Sequence, residues 1–202
     1  MAPRKNAVIG LRAKTARAIA LVLGGTARAP QPIHRAELIL SSPRIHATAQ
    51  PYHEVMDLPW EQAQVAVKET AFAIENLARE ALAGLLRDVE ARGFSVLSLA
   101  IVGAPERRLE AIRNPHIRAH AAEGVLYRHV LEIAASGNSL ASRVFPEHGL
   151  LARAESTLRL SGSEIASCLA DVGNRFGRPW RADEKTAAVA AWIALVDHAS
   201  SC

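Results

Sequence analysis

The feature that most constrains the fold is a nearly continuous apolar run at residues 95–102, with the sequence SVLSLAIV. Such a run is typical of a β-strand that is buried on both faces of a sheet. A strand of this kind needs a layer of helices on each side of the sheet, because each apolar face must be covered. The chain is therefore expected to be an α/β protein.

Apolar periodicity and chain breakers predict four further strands around this central one. They are expected at residues 7–11, 18–23, 33–41 and 142–146. The polar residues 12–17 predict a tight turn, and Gly24-Gly25 predicts a break before the third strand. The chain thus opens with a meander of three strands.

Helical spacing of apolar residues predicts the remaining elements. Helices are expected at residues 59–92, 106–113, 114–136, 148–159, 162–176 and 183–198. Asn114 is expected to cap its helix, with Pro115 at the first helical position. The order β-β-β-α-β-α-β-α then describes a mixed five-stranded sheet with helices on both faces, which is the order of ribonuclease H-like domains.

The length of 202 residues suits a single domain spanning 1–202, with flexible termini expected at 1–6 and 199–202. The net charge of +4 favours an anionic partner. No secretory signal and no apolar run of about 20 residues is evident, so a membrane is not expected as a partner. Cys168 and Cys202 do not form a disulfide framework, and this favours the bacterial cytoplasm.

Three segments carry patterns that are more specific than the element order. Residues 9–22 combine an Ile-Gly-Leu strand, a polar turn and an apolar strand; residues 114–134 contain a step of small residues at 120–124; and residues 182–195 read ADEKTAAVAAWIAL. In this order they resemble the opening strands, the helix after the fourth strand and the final helix of Holliday-junction resolvases of the RuvC type. The resemblance implies a ribonuclease H-like fold and a nucleic-acid partner.

The resemblance also implies three or four carboxylates around two divalent metal ions, which would clamp the oxygens of a phosphodiester. The first-strand acid of the family falls here on Arg12, and the fourth strand has only Glu106 nearby. On the last helix Asp183 matches the first acid, whereas the second falls on Thr186. The sequence therefore predicts a degenerate metal site and a protein that is not an active resolvase.

The first functional hypothesis is accordingly a resolvase-like protein that binds nucleic acid or another phosphate-bearing ligand. Arginine and lysine side chains near the carboxyl edge of the sheet, and the amino terminus of the helix at 114, are suited to phosphate. The candidate ligand-binding residues are Arg12, Lys14, Arg17, Arg113, Asn114 and Arg118.

The second hypothesis is a metal-dependent or small-molecule hydrolase. His116, His120, Glu123 and Tyr127 are spaced at i, i+4, i+7 and i+11, which places them on one stripe of a helix. Two histidines one turn apart can hold a divalent metal ion, and a glutamate one turn further on can serve as a ligand or a base. The candidate catalytic residues are His116, His120, Glu123 and Asp183, and the identity of the metal stays open.

Structural interpretations of the same residues remain open beside this one. Glu123 could instead pair with Arg128 or Arg79, and His120 could pack against an aromatic ring. Residues 52–54, Tyr-His-Glu, are a candidate second polar wall of the cleft.

The third hypothesis is a scaffold that dimerises through the Ala-rich helix at 59–92. Trp60 is expected to anchor the start of this helix. Trp180 is expected to be a core plug or a helix staple rather than a platform for stacked bases.

Overall fold

The computed structural model describes residues 4–199, and its centre is a five-stranded mixed sheet. The strands are β1 (Lys5–Lys14), β2 (Arg17–Thr26), β3 (Ala29–Ile39), β4 (Phe94–Gly103) and β5 (Ala141–Pro146). They lie in the order β3-β2-β1-β4-β5; β2 is antiparallel to both β1 and β3, whereas β4 is parallel to both β1 and β5. The predicted fold class is confirmed.

Six helices follow the expected positions with two differences. They are α1 (Trp60–Ala66), α2 (Lys68–Ala91), α3 (Pro115–Gly137), α4 (Leu150–Leu158), α5 (Gly162–Phe176) and α6 (Ala182–Ala199). The helix expected at 59–92 is interrupted at Val67, and the helix expected at 106–113 is only a 3-10 turn at Leu109–Ala111. Asn114 caps α3 as predicted, because its Oδ1 accepts the backbone N–H of Ile117 at 3.0 Å.

The turn expected at 12–17 is much shorter than predicted. β1 continues to Lys14 and β2 resumes at Arg17, so that only two residues connect them. The second of these, Ala16, adopts a positive φ of 66°. Arg12, Lys14 and Arg17 of this segment therefore lie on paired strands, at the end of the sheet where β1 ends and β2 begins.

Gly24-Gly25 does not break the second strand. Both glycines remain in β2, where Gly25 pairs with Pro30 of β3 and adopts a φ of +83°. β3 begins at Ala29 rather than at residue 33 in spite of Pro30 and Pro32. It is an edge strand, and an edge tolerates residues that cannot donate a backbone hydrogen bond.

Alternating residues of β1 face two separate helical layers. Ala7, Ile9 and Leu11 belong to the core formed with α2 and α3, whereas Val8 belongs to the core formed with α4, α5 and α6. The second layer contains Trp192, which is fully buried and donates its indole N–H to the carbonyl of Ala27 at 2.7 Å.

The contact between β1 and α6 is unusually close. A Cβ atom at Gly10 would lie 1.9 Å from the carbonyl oxygen of Ala187, so only glycine fits at this position. The first turn of α6, with Asp183, is thereby held beside the end of β1.

The flexible termini predicted at 1–6 and 199–202 are shorter than expected where the structure describes them. Lys5 and Asn6 belong to β1 rather than to a flexible terminus, and α6 extends to Ala199. The expectation for residues 1–3 and 200–202 lies outside the described residues. No helix within residues 4–199 is both long and apolar enough to cross a membrane.

Candidate functional site

A cleft of about 440 Å³ opens at the edge of the sheet where β1, β4 and β5 end. Since these three strands are mutually parallel, their carboxyl ends lie together, and this edge is the usual place for ligands in open α/β sheets. Its polar lining residues are Arg12, Lys14, Thr15, Arg107, His120, Glu147 and His148.

Arg12 lies at the centre of the charges in this cleft. Its Nη2 donates to Glu147 Oε2 at 2.5 Å, and its Nε lies 3.6 Å from Asp183 Oδ1. Lys14 Nζ lies 3.4 Å from the same oxygen of Asp183. The Arg12 side chain is only 11% exposed. Two cationic side chains of β1 therefore balance two carboxylates that come from separate elements.

Glu106 does not take part in this network. Its carboxylate pairs with the guanidinium of Arg128, whose other nitrogen contacts Glu132. Glu147, which the sequence reasoning missed, joins Asp183 instead. Its position immediately after β5 is the signal that could have identified it, because parallel strands end at the same edge.

Glu123 is fully buried, and it binds the loop that contains Tyr52 and His53 rather than facing the cleft. Its Oε1 accepts hydrogen bonds from His53 Nδ1 at 2.8 Å and from the backbone N–H groups of Tyr52 and His53, each at 3.2 Å. Its Oε2 is buried without a hydrogen-bond partner. The carboxylate of Glu123 therefore orients the imidazole of His53.

The alternative pairing of Glu123 with Arg128 or Arg79 is wrong. Arg79 pairs with Glu75 of its own helix, one turn away, and Arg128 is occupied by Glu106 and Glu132.

His116 and His120 are exposed and lie around His53. Their ring centroids are 4.9 Å and 6.4 Å from that of His53, and His120 also lines the cleft. The predicted polar wall thus contributes His53, whereas Tyr52 stacks on Trp60 with centroids 5.5 Å apart. Within the described part of the chain, no three His, Cys, Asp or Glu side chains are arranged to hold a metal ion.

Tyr127 completes the attachment of the loop to α3. Its hydroxyl donates to the carbonyl oxygens of Thr48 and Ala49, the latter at 3.1 Å. Burial raises the pKa of the Tyr127 phenol, and the nearby charge of Glu123 adds to this effect. The deeper half of the predicted stripe is therefore structural, and the outer half reaches solvent.

Three of the predicted ligand-binding residues are occupied elsewhere. Arg17 pairs with Glu37 of β3 at 3.0 Å. The guanidinium of Arg118 lies over the ring of Trp60, 5.5 Å from its centroid. Asn114 uses its side chain to cap α3.

Two of the predicted ligand-binding residues, Arg12 and Lys14, do line the cleft. Arg113 is exposed, but it does not belong to the lining. Arg107 and His148, which the sequence reasoning missed, add two exposed basic groups. Both residues come soon after the end of a strand, so the fact that parallel strands end at one edge of the sheet could have identified them as well.

Sheet order, two helical layers and an edge cleft define an α/β protein of the ribonuclease H-like class. Among solved structures, the chain is similar to Thermus thermophilus RuvC, with a TM-score of 0.53, 13% identity and 96% of each chain covered. It is also similar to T. thermophilus RuvC in complex with a Holliday junction substrate, with a TM-score of 0.55, 12% identity and again 96% of each chain covered. At these identities the likeness establishes the fold. No protein-family model and no curated protein matches the chain.

Proposed function

We propose that this protein is a cytoplasmic, resolvase-like protein that binds branched or single-stranded nucleic acid in the cleft and does not cut it. The observation that carries the proposal is the ion-paired position of Arg12 between Glu147 and Asp183. The fold supports a nucleic-acid partner, since one similar structure is that of a RuvC protein with a Holliday junction substrate.

The residues present do not fit a two-metal centre. Such a centre needs carboxylate oxygens that are free to bind divalent cations. The oxygens of Glu147 and Asp183 already contact the guanidinium of Arg12, and Lys14 adds a second positive charge. A divalent ion would have to displace a cation that is attached to the sheet, so no hydrolytic step is assigned to this site.

The same charges favour phosphate. Arg107 lines the cleft, is exposed and has no ion-pair partner among residues 4–199. Lys14 is close to only one carboxylate, and His120 and His148 can donate hydrogen bonds from the rim. Contacts of this kind release counterions from nucleic acid, and binding then weakens as the salt concentration rises.

Fluorescence anisotropy with labelled four-way junctions and single strands tests this function. We expect binding at low salt that needs no Mg²⁺, is unchanged by EDTA and falls steeply with salt, without cleavage of the probe when Mg²⁺ is added. The double variant Lys14→Glu, Arg107→Glu should weaken binding about tenfold or more, because two phosphate contacts become repulsive.

The matched control is Arg108→Glu, since Arg108 neighbours Arg107 but pairs with Glu110 and lies outside the cleft lining. It should retain most of the affinity. Cleavage of a junction in Mg²⁺, or no binding at low salt, would contradict the proposed function.

A second candidate function is a metal-dependent or small-molecule hydrolase in which His116 and His120 act beside the His53 imidazole. Of the other two predicted catalytic residues, Glu123 would only orient His53, and Asp183 takes no part because it is paired with Arg12 and Lys14. The observation that favours it is the hydrogen bond from His53 to Glu123, since a carboxylate-oriented imidazole beside two further histidines is common around metals. Elemental analysis of the purified protein distinguishes the two functions.

Stoichiometric metal that is lost in the variant His116→Ala, His120→Ala, combined with no nucleic-acid binding, would favour the hydrolase. The control is His129→Ala, because His129 is exposed on the same helix and does not lie beside His53 as His116 and His120 do.

A further inference from the structure

A second cavity, of about 760 Å³, lies between the end of α5 and the start of α6. Its wall includes Gly173, Arg178, Trp180 and Arg181, none of which lines the cleft. This region shows three features that together indicate a ligand.

The first feature is an aromatic surface. Trp180 is half-buried, stacks on Phe176 with ring centroids 6.0 Å apart, and packs directly on the backbone of α5. A Cβ atom at Gly173 would lie 2.4 Å from Trp180 Nε1, so the glycine admits the ring. Trp180 is thus packed at the edge of the core, as the sequence predicts, but it also lines the cavity.

The second feature is a loop that is held in place. Arg35 of β3 donates to the carbonyl oxygens of Gly177, Arg178 and Pro179, at 3.0, 3.0 and 2.5 Å. Three hydrogen bonds from one guanidinium fix the backbone that carries the cavity wall. A surface fixed in advance loses less conformational entropy when it binds.

The third feature is positive charge without a counter-charge. Arg178 and Arg181 are exposed and line the cavity, and neither has an ion-pair partner in the described part of the chain. The two acids that follow are used otherwise: Asp183 faces Arg12 and Lys14, and Glu184 accepts the backbone N–H of Arg181.

We propose that this cavity binds unpaired nucleotides of the same nucleic acid that the cleft holds, with a base stacked on Trp180 and phosphates on Arg178 and Arg181. Stacking on an aromatic ring beside basic side chains is how proteins bind single strands without reading their sequence. The inference rests on the proposed function and specifies its substrate as a branched molecule with a single-stranded part.

The positions of the two cavities support one continuous ligand. Asp183 contacts Arg12 and Lys14 of the cleft, although it does not line the cleft itself. Trp180 lies three residues before it, and at about 3.5 Å per residue their Cα atoms are separated by about 10 Å at most. Stacked nucleotides rise about 3.4 Å each along a strand, so two or three of them span this distance.

Two probes test the proposal: a fully paired four-way junction, and the same junction with a tail of ten unpaired thymidines. We expect the tail to tighten binding to the protein about tenfold, since each stacked base contributes about 1–3 kcal/mol. In the variant Arg178→Ala, Arg181→Ala the tail should add less than in the wild type, because the phosphate contacts are lost while Trp180 remains, and binding of the paired junction should stay close to wild type. The matched control is Arg175→Ala, an exposed arginine of α5 outside the cavity wall.

Tryptophan fluorescence gives an independent readout. Free ten-residue oligothymidylate should quench the wild-type emission, and Trp180→Phe should remove most of this quenching while Trp60 and Trp192 remain. A tail that adds no affinity to a protein that binds the paired junction would overturn the cavity proposal alone. Failure to bind the paired junction would contradict the proposed function itself.

Discussion

The guanidinium of Arg12 is the central charge of the edge cleft. Where the resemblance to resolvases leads one to expect an acid, Arg12 extends between Glu147 and Asp183. On the proposed function, this charge makes the two carboxylates partners of an internal ion pair rather than ligands of a divalent cation. We therefore expect one residue, Arg12, to determine whether the cleft can bind a divalent cation.

The substitution Arg12→Asp tests this view. It should leave three carboxylates at one edge, a donor set that suits Mn²⁺ or Mg²⁺. Saturating Mn²⁺ should then raise the melting temperature of the variant by about 5 °C, and that of the wild type hardly at all. The control is Arg12→Asn, which removes the guanidinium without adding a carboxylate. Equal stabilisation of wild type and variant by Mn²⁺ would refute the assignment.

Tyr127 should make the stability of the protein sensitive to alkaline pH. Burial, reinforced by Glu123, raises the pKa of its phenol above the ordinary value of 10.0. The folded state therefore holds a proton that the unfolded state releases, so its contribution is complete below pH 10 and is lost as the pH rises further.

The variant Tyr127→Phe should cost about 1 kcal/mol at pH 7, because hydrogen bonds to the loop are lost. Its stability should also fall less between pH 9 and 11. Urea unfolding across this range measures both effects, and an unchanged alkaline slope would contradict the explanation. Tyr52→Phe is a useful comparison, since burial also raises the pKa of Tyr52.

At the residue scale, the sequence predicts which face of a helix a residue lies on better than it predicts whether the residue is buried. Helical spacing correctly places His116, His120, Glu123 and Tyr127 on one stripe, but it does not predict that Glu123 is buried. The partner of Glu123 is His53, 70 residues earlier in the chain. A contact between a loop and a helix so far apart leaves no periodic signal, and only the packing of α3 brings the two together.

At the element scale, apolar runs locate each of the five strands that the structure describes. Glycine and proline, however, predict wrong end points for β2 and β3. β2 passes through Gly24-Gly25, because these residues are paired with β3 on their far side. Most of the polar segment 12–17 extends two strands, and only its two central residues form the predicted turn. In both cases the pairing of neighbouring strands overrides a local preference, which a single sequence does not report.

The close approach of α6 to β1 predicts a strong difference between two glycines. Gly10→Ala would push a methyl group against the backbone of Ala187 and should cost about 3 kcal/mol. Gly84→Ala, in the interior of α2 with only the tip of Arg87 at 3.8 Å, should stabilise the protein by about 0.5–1 kcal/mol. Chemical unfolding of both variants gives the comparison, and equal effects would contradict the packing described for α6.

At the scale of the whole molecule, one buried strand predicts the layered architecture. The run at 95–102 becomes β4, which lies between β1 and β5 under helices on both faces. The cleft was less accessible from sequence, because it combines the ends of three strands with the residues that follow β4 and β5. Its members are adjacent only once the strand order is known.

The homodimer predicted through residues 59–92 would bury two exposed apolar side chains of this region. Val65 of α1 and Phe72 of α2 are 62% and 64% exposed. We expect a dimer in light scattering, and Phe72→Glu should shift it to a monomer because the contact would bury a charge. Leu151→Glu, on the opposite layer and at 51% exposure, should not. A monomeric wild-type protein would disprove the dimer.

Arg12 also sets how the site responds to its surroundings. A bound ion comes and goes with its concentration, and a chelator can strip it. A cationic side chain is attached through covalent bonds, so its local concentration does not depend on the medium and a chelator cannot remove it. The carboxylates of Glu147 and Asp183 are therefore neutralised by a positive charge that is part of the polypeptide itself. On the proposed function, the charge balance of this cleft therefore does not depend on the concentration of magnesium.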